Sequence, residues 1–117
     1  MNRNDVAWAG PMPALTTPFH RDGSVDLEGF AANLDRLLRA GATGSIVAGC
    51  TGEFWALSTD EKAALARAAV AATAGRGPVI LGAAAVTADA VIEVAHAARD
   101  AGADGILVTP PYVVRLT

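Results

Sequence analysis

A nine-residue pattern that occurs twice constrains this chain more than any other feature. Arg39-Ala40-Gly41-Ala42-Thr43-Gly44-Ser45-Ile46-Val47 is echoed by Asp100-Ala101-Gly102-Ala103-Asp104-Gly105-Ile106-Leu107-Val108. A looser copy runs through Ala74-Gly75-Arg76-Gly77-Pro78-Val79-Ile80. Each copy reads as a helix end, a glycine stop, a short turn and a strand. Four short apolar runs, at residues 13–15, 45–48, 78–82 and 105–109, follow one another at the roughly thirty-residue spacing of βαβ units. None alternates with polar residues, which suits parallel strands buried on both faces.

Helical periodicity fills the gaps between these runs. A helix over 26–40 carries Leu27, Phe30, Leu34, Leu37 and Leu38 on one stripe, with Gly41 as its stop. A second, over 59–74, opens on the capping box Ser58-Thr59-Asp60-Glu61 and stops at Gly75. A third, over 88–101, has Thr87 as N-cap and Gly102 as stop. The expected order is (βα)3β, a single unit over 1–117 with no internal boundary and no linker. Two α/β architectures accept that order, an open doubly wound sheet and a (β/α)8 TIM barrel. No G-x-G-x-x-G or G-x-x-x-x-G-K motif follows a strand, so the nucleotide signature of the open sheet is missing. A barrel takes roughly 250 residues, so four strands would be its first half.

Composition excludes several functions. The formal net charge of −3 and pI near 5.2 lack the basic footprint of a nucleic-acid binder. The longest apolar stretch, 63–74, is alanine-rich, broken by Arg67, and short of the roughly 20 residues of a membrane span. The polar N-terminus precedes no apolar signal run. The single cysteine, Cys50, cannot form an internal disulfide, which fits a reducing cytoplasm. With one Cys and two separated His, no metal site is expected.

In both architectures chemistry gathers beyond the C-terminal ends of the strands. Three loops lie there: Thr16-Thr17-Pro18-Phe19, Gly49-Cys50-Thr51-Gly52-Glu53-Phe54-Trp55 and Pro110-Pro111-Tyr112-Val113. The middle loop places a thiol and a hydroxyl between two glycines. Successive N–H groups in such a turn form an anion nest, and Thr51 adds a hydroxyl donor. The plainer alternative is a glycine-rich turn with a small buried cysteine. Glu53 reads as an acid/base group or, more often, as a carboxylate holding the loop through backbone N–H groups. Tyr112, stiffened by Pro110-Pro111, is a candidate proton relay or a packed aromatic. His20 and His96 read as surface residues.

Together these pieces resemble the family of dihydrodipicolinate synthase and N-acetylneuraminate lyase, Schiff-base-forming barrel enzymes acting on pyruvate and related 2-keto acids. The resemblance rests on Pro13-Ala14-Leu15-Thr16-Thr17-Pro18-Phe19, Gly49-Cys50-Thr51-Gly52-Glu53-Phe54, Gly102-Ala103-Asp104-Gly105 and Val108-Thr109-Pro110-Pro111-Tyr112, in family order. It implies that Cys50-Thr51 grips the keto-acid carboxylate, with Gly49, Gly52 and Thr17 as further substrate-binding residues and Tyr112 as a catalytic candidate. It implies no metal or organic cofactor, and a homo-oligomer, often a tetramer. Cys50 stands where the family's proton relay carries threonine. Val113 stands where the synthases carry an interfacial tyrosine. A valine cannot pass a proton, which speaks against the synthase reaction, and the Glu53-Phe54-Trp55 continuation and the Pro110-Pro111-Tyr112 ending resemble the sugar-acid branches, such as the 5-dehydro-4-deoxyglucarate dehydratases.

The resemblance also implies a Schiff-base lysine at the sixth strand, outside this chain. The only lysine here, Lys62, is expected on the exposed side of the second helix, far from the strand ends. The expected activity is that of a carbon–carbon or carbon–oxygen lyase in the full-length protein, with this chain alone inactive. The alternatives are a non-catalytic half-barrel that pairs through its open edges, and an open-sheet module binding a small anion.

Overall fold

The structure is a computed structural model that describes residues 3–112. After a short 3-10 turn at Arg3–Asp5, the chain alternates α1 (Leu27–Arg39), β1 (Ser45–Val47), a 3-10 turn at Phe54–Ala56, α2 (Thr59–Thr73), β2 (Val79–Gly82), α3 (Ala88–Ala101) and β3 (Gly105–Leu107). The three strands form one parallel sheet in the order β1-β2-β3.

The first expected strand, 13–15, is present only as a single parallel bridge between Ala14 and Ile46. Leu15 N–H donates to the Ile46 carbonyl, Ile46 N–H to that of Pro13 and Thr43 N–H to that of Pro11. Pro11 and Pro13 have no N–H to give, so the segment lies beside β1 without extending the ladder.

The helices match their sequence signals closely. Asp26 caps α1 by accepting from Gly29 N–H at 2.8 Å, and the capping box of α2 forms in both directions between Ser58 and Glu61. One detail differs. Ala74, with φ of 49°, takes the left-handed cap of α2 before Gly75 is reached.

All three helices cover one face of the sheet. Val47, Val79 and Leu81 point into a core completed by Phe30, Leu34, Leu65, Val94 and Ala98. Each large apolar side chain hidden there contributes roughly 1.5–3 kcal/mol. Ala66 and Ala69 of α2 are fully buried, and their small size lets α1 and α3 pack on either flank of α2. The expectation of strands buried on both faces fails. Ile46 and Ile80, on the other face, are only partly covered and Leu107 there is exposed; Ile106, in register with Leu81 on the helix side, is exposed because β3 is at the edge. The described residues supply helices to one face and no layer to the other.

The sequence echo has a structural meaning. Thr43 and Asp104 occupy the same place in the two copies, and each ties the start of a strand to its predecessor. Thr43 Oγ1 donates to the Ala9 carbonyl at 2.7 Å. Asp104 Oδ2 accepts from Val79 N–H at 2.8 Å, while its own N–H returns to the Val79 carbonyl. In the third copy Arg76 donates to the Asp35 carboxylate and to the carbonyls of Ala72 and Thr73, joining the end of α2 to α1. The Arg76 hydrogen bond holds the Asp35 carboxyl below the usual aspartate range.

Gly82 ends β2 where the backbone of Ala48 crosses it, and a Cβ there would run into the Ala48 carbonyl oxygen. Gly82→Ala is expected to cost about 1–3 kcal/mol of unfolding free energy, the range for overpacking a close contact. Urea denaturation of both chains measures it.

Candidate functional site

Parallel strands deliver their exit loops to one edge, and the turn after β1 is the most elaborate of these. Two non-glycine residues in the left-handed region bracket it, Ala48 with φ of 50° and Glu53 with φ of 58°. Glu53 N–H donates to the Cys50 carbonyl at 3.0 Å and Phe54 N–H to that of Gly49 at 3.3 Å. Among the described residues, the N–H groups of Cys50, Thr51 and Gly52 donate to no protein acceptor. Cys50 and Thr51 are exposed and Gly49 and Gly52 are buried. Consecutive free amides in a turn are the donor set from which anion-binding concavities are built. The plainer expectation of a buried cysteine does not hold, because the thiol stands at the surface.

Thr17 arrives from the neighbouring loop. It is 6% exposed, and its Oγ1 donates to the Gly52 carbonyl at 2.7 Å. Its hydroxyl therefore spends its hydrogen on the protein. Gly52 itself is wedged in place, because a Cβ there would sit 2.9 Å from the Leu15 carbonyl oxygen and 3.1 Å from the Ala48 α-carbon.

Tyr112, 54% exposed, meets the Phe54 ring edge-on at 5.5 Å between centroids, and Trp55 meets the same ring at 5.3 Å. Phe54 thus joins the loop after β1 to the loop after β3. Val113 lies outside the described residues. Glu53 is exposed, and among the described residues its carboxylate accepts no hydrogen bond, so the expected loop-holding role is absent. His96 is exposed and His20, 3.8 Å from Asp26, is mostly so; neither belongs to the turn. Among the described residues no group of three His, Cys, Asp or Glu side chains could hold a metal ion, and no helix is long and apolar enough to cross a membrane. A cavity of about 590 Å3 opens at the opposite end of the strands, beside Thr43, Arg76 and Asp104, away from this turn.

Lys62 corrects an expectation. It is only 7% exposed, and its Nζ lies 5.7 Å from the centre of the Phe54 ring, beside the β1 loop. The reason is the capping box. With Ser58 as cap, Leu57 and Lys62 take the two positions that meet in a hydrophobic staple, so the lysine stem turns inward. That spacing was readable in the sequence. Burial holds the Lys62 amine below the ordinary lysine value.

The scaffold is thus a run of βα units with a glycine-rich turn at the exit of β1 that leaves backbone amides free. The dihydrodipicolinate synthetase family model matches residues 7–117, and the chain belongs to that family. It is 43% identical over 103 residues to a 4-hydroxy-tetrahydrodipicolinate synthase of Agrobacterium fabrum, covering 88% of this chain and 35% of the relative. It is 48% identical over 99 residues to the "Probable 5-dehydro-4-deoxyglucarate dehydratase 2" of Streptomyces avermitilis, covering 84% of this chain and 29% of the relative. Among solved structures it superposes with a TM-score of 0.87 and 38% identity on YagE of E. coli K12, a prophage protein of the same family in complex with pyruvate, covering 94% of this chain and 37% of that one. The fold is therefore the first part of the family's (β/α)8 barrel. The chain spans between 29% and 37% of the length of these relatives.

Two measurements probe the site's physics. Glu53→Gly removes a side chain from a left-handed position where it makes no hydrogen bond, and is expected to raise stability by up to about 1 kcal/mol in chemical denaturation. Because the folded chain holds the Lys62 proton less tightly than the unfolded one, stability should climb with pH from the folded pKa toward about 10.4. Lys62→Met should raise the melting temperature at pH 7, with the gain fading above pH 10. A gain that does not depend on pH would contradict this account.

Proposed function

We propose that this chain is the N-terminal part of a single-domain, class I lyase or synthase that acts on pyruvate or a 2-keto(-deoxy) sugar acid. The observation that carries the reading is the trio of unclaimed amide donors at Cys50, Thr51 and Gly52, just beyond β1. A carboxylate seated there accepts from the backbone and from the Thr51 hydroxyl. The curated relatives quoted above bear enzyme names, and the E. coli neighbour holds pyruvate.

Held by its carboxylate, the keto acid presents its carbonyl to the amine of a lysine supplied from outside this sequence. The amine nitrogen adds to the carbonyl carbon, water leaves and an imine forms. Once protonated, the imine accepts the electron pair of a neighbouring bond as that bond breaks, or of a C–H bond before condensation. Tyr112, at the exit of β3, is the candidate for handling a proton. The 48% identity to the Streptomyces avermitilis protein favours the sugar-acid dehydratase branch. The protein in this reading needs no metal or organic cofactor and works as a cytoplasmic homo-oligomer, a tetramer in the family pattern. This chain alone has no Schiff-base lysine and turns nothing over.

A second reading is a non-catalytic half-barrel that pairs with itself. The open side of β3 favours it, with Ile106 and Leu107 41% and 44% exposed. Borohydride reduction in the presence of pyruvate separates the two. The present chain should trap no pyruvyl adduct, while a chain continued through the remaining strands should trap one on a lysine of the added part. An extended chain that traps nothing would leave the second reading, and an adduct on Lys62 would overturn the assignment of the nucleophile.

A further inference from the structure

We infer that Thr17 is a positioning residue for the keto-acid turn, acting through the Gly52 carbonyl and not by touching the substrate. The inference rests on the function proposed above and concerns how that site is held in shape. The peptide between Gly52 and Glu53 is gripped at both ends. Its oxygen accepts from Thr17 Oγ1 at 2.7 Å, and its N–H donates to the Cys50 carbonyl at 3.0 Å. The Thr17 hydrogen bond is buried and joins residues 35 positions apart, so it pins the turn to the first strand segment. That segment is itself anchored, through Leu15 N–H to the Ile46 carbonyl at 2.9 Å. The α-carbon of Gly52 is packed against the Leu15 oxygen and the Ala48 backbone with no room for a side chain. The rest of the turn is held by one further backbone hydrogen bond, from Phe54 N–H to the Gly49 carbonyl at 3.3 Å. The amides of Cys50, Thr51 and Gly52 donate to no acceptor among the described residues, and both ends of the turn sit in the left-handed region.

The geometry makes Thr17 the one side chain among the described residues that hydrogen-bonds to the Gly49–Gly52 backbone. Removing its hydroxyl leaves the Gly52 oxygen buried without a donor. The 52–53 peptide is then free to rotate, and the amides before it lose their common direction. Donors held in advance cost no reorganisation when the anion arrives, so loosening them weakens binding.

The test is hydrogen exchange by mass spectrometry on the 117-residue chain, with and without pyruvate. Thr17→Val keeps the side-chain shape and deletes the donor, and Thr17→Ser keeps the donor. Without ligand, Thr17→Val should exchange about tenfold faster in the peptide carrying Glu53, with α3 unchanged. Its pyruvate dissociation constant should rise about tenfold, and Thr17→Ser should stay near the parent. Unchanged exchange and unchanged pyruvate binding in Thr17→Val would overturn the inference, as would a Thr17→Ser chain as defective as Thr17→Val. If Thr17→Val does not fold, Thr17→Ser against Thr17→Cys makes the same comparison, since a thiol is a weak donor. If the parent chain shows no pyruvate protection, the turn does not hold the keto acid without the missing strands; the ligand-free exchange at Glu53 still decides the role of Thr17.

Discussion

In a parallel ladder every strand runs the same way, so the chain must leave each strand at one edge and re-enter at the other. The register of β1, β2 and β3 imposes that rule here, and the other features answer to it. The helices exist to carry the chain back. They can do so in a thin layer because α2 buries alanine where it touches its neighbours. At the entry edge the repeated turn supplies Thr43, Arg76 and Asp104, whose side chains tie the strand starts and helix ends together. At the exit edge Thr17 meets Gly52 and Phe54 meets Tyr112, so the three exit loops touch one another.

Backbone strain sits at both edges. At the entry edge Ala74 takes the left-handed cap of α2. The exit turn after β1 keeps Ala48 and Glu53 in the left-handed region and leaves three amides unclaimed. Non-glycine residues held there cost energy, and they persist only where the surroundings over-determine them. Here the surroundings are the buried Thr17 hydrogen bond and the packing around Gly52. A turn braced from behind and open in front is suited to meeting a ligand without rearranging.

Phe54 links this turn to the rest of the exit edge. Its ring contacts Trp55 and Tyr112 and lies under the Lys62 amine. A buried lysine with a depressed pKa is costly, and the aromatic face offsets part of that cost. The loops after β1 and β3 are therefore coupled through one side chain, so a change at Phe54 reaches both Tyr112 and the amine.

The sequence by itself determined the order of the three helices and of the strands between and after them, the caps Ser58 and Thr87 and the parallel α/β class. Those properties follow from spacing, and spacing is local: Ser58 to Glu61, Thr87 to the start of α3, and glycine after each helix. It also marked Gly49–Gly52 and Tyr112 through loop position and family resemblance. Three matters were settled only in three dimensions. The segment around Ala14 dwindled to one bridge because a ladder needs a donor at every second residue and proline has none. Lys62 turned inward because Leu57 and Phe54 await it, although its capping-box position had hinted as much. Thr17 became a backbone clamp because its partner, the Gly52 carbonyl, lies 35 residues away. A contact of that range depends on how two loops close over a shared edge, and no local period encodes it.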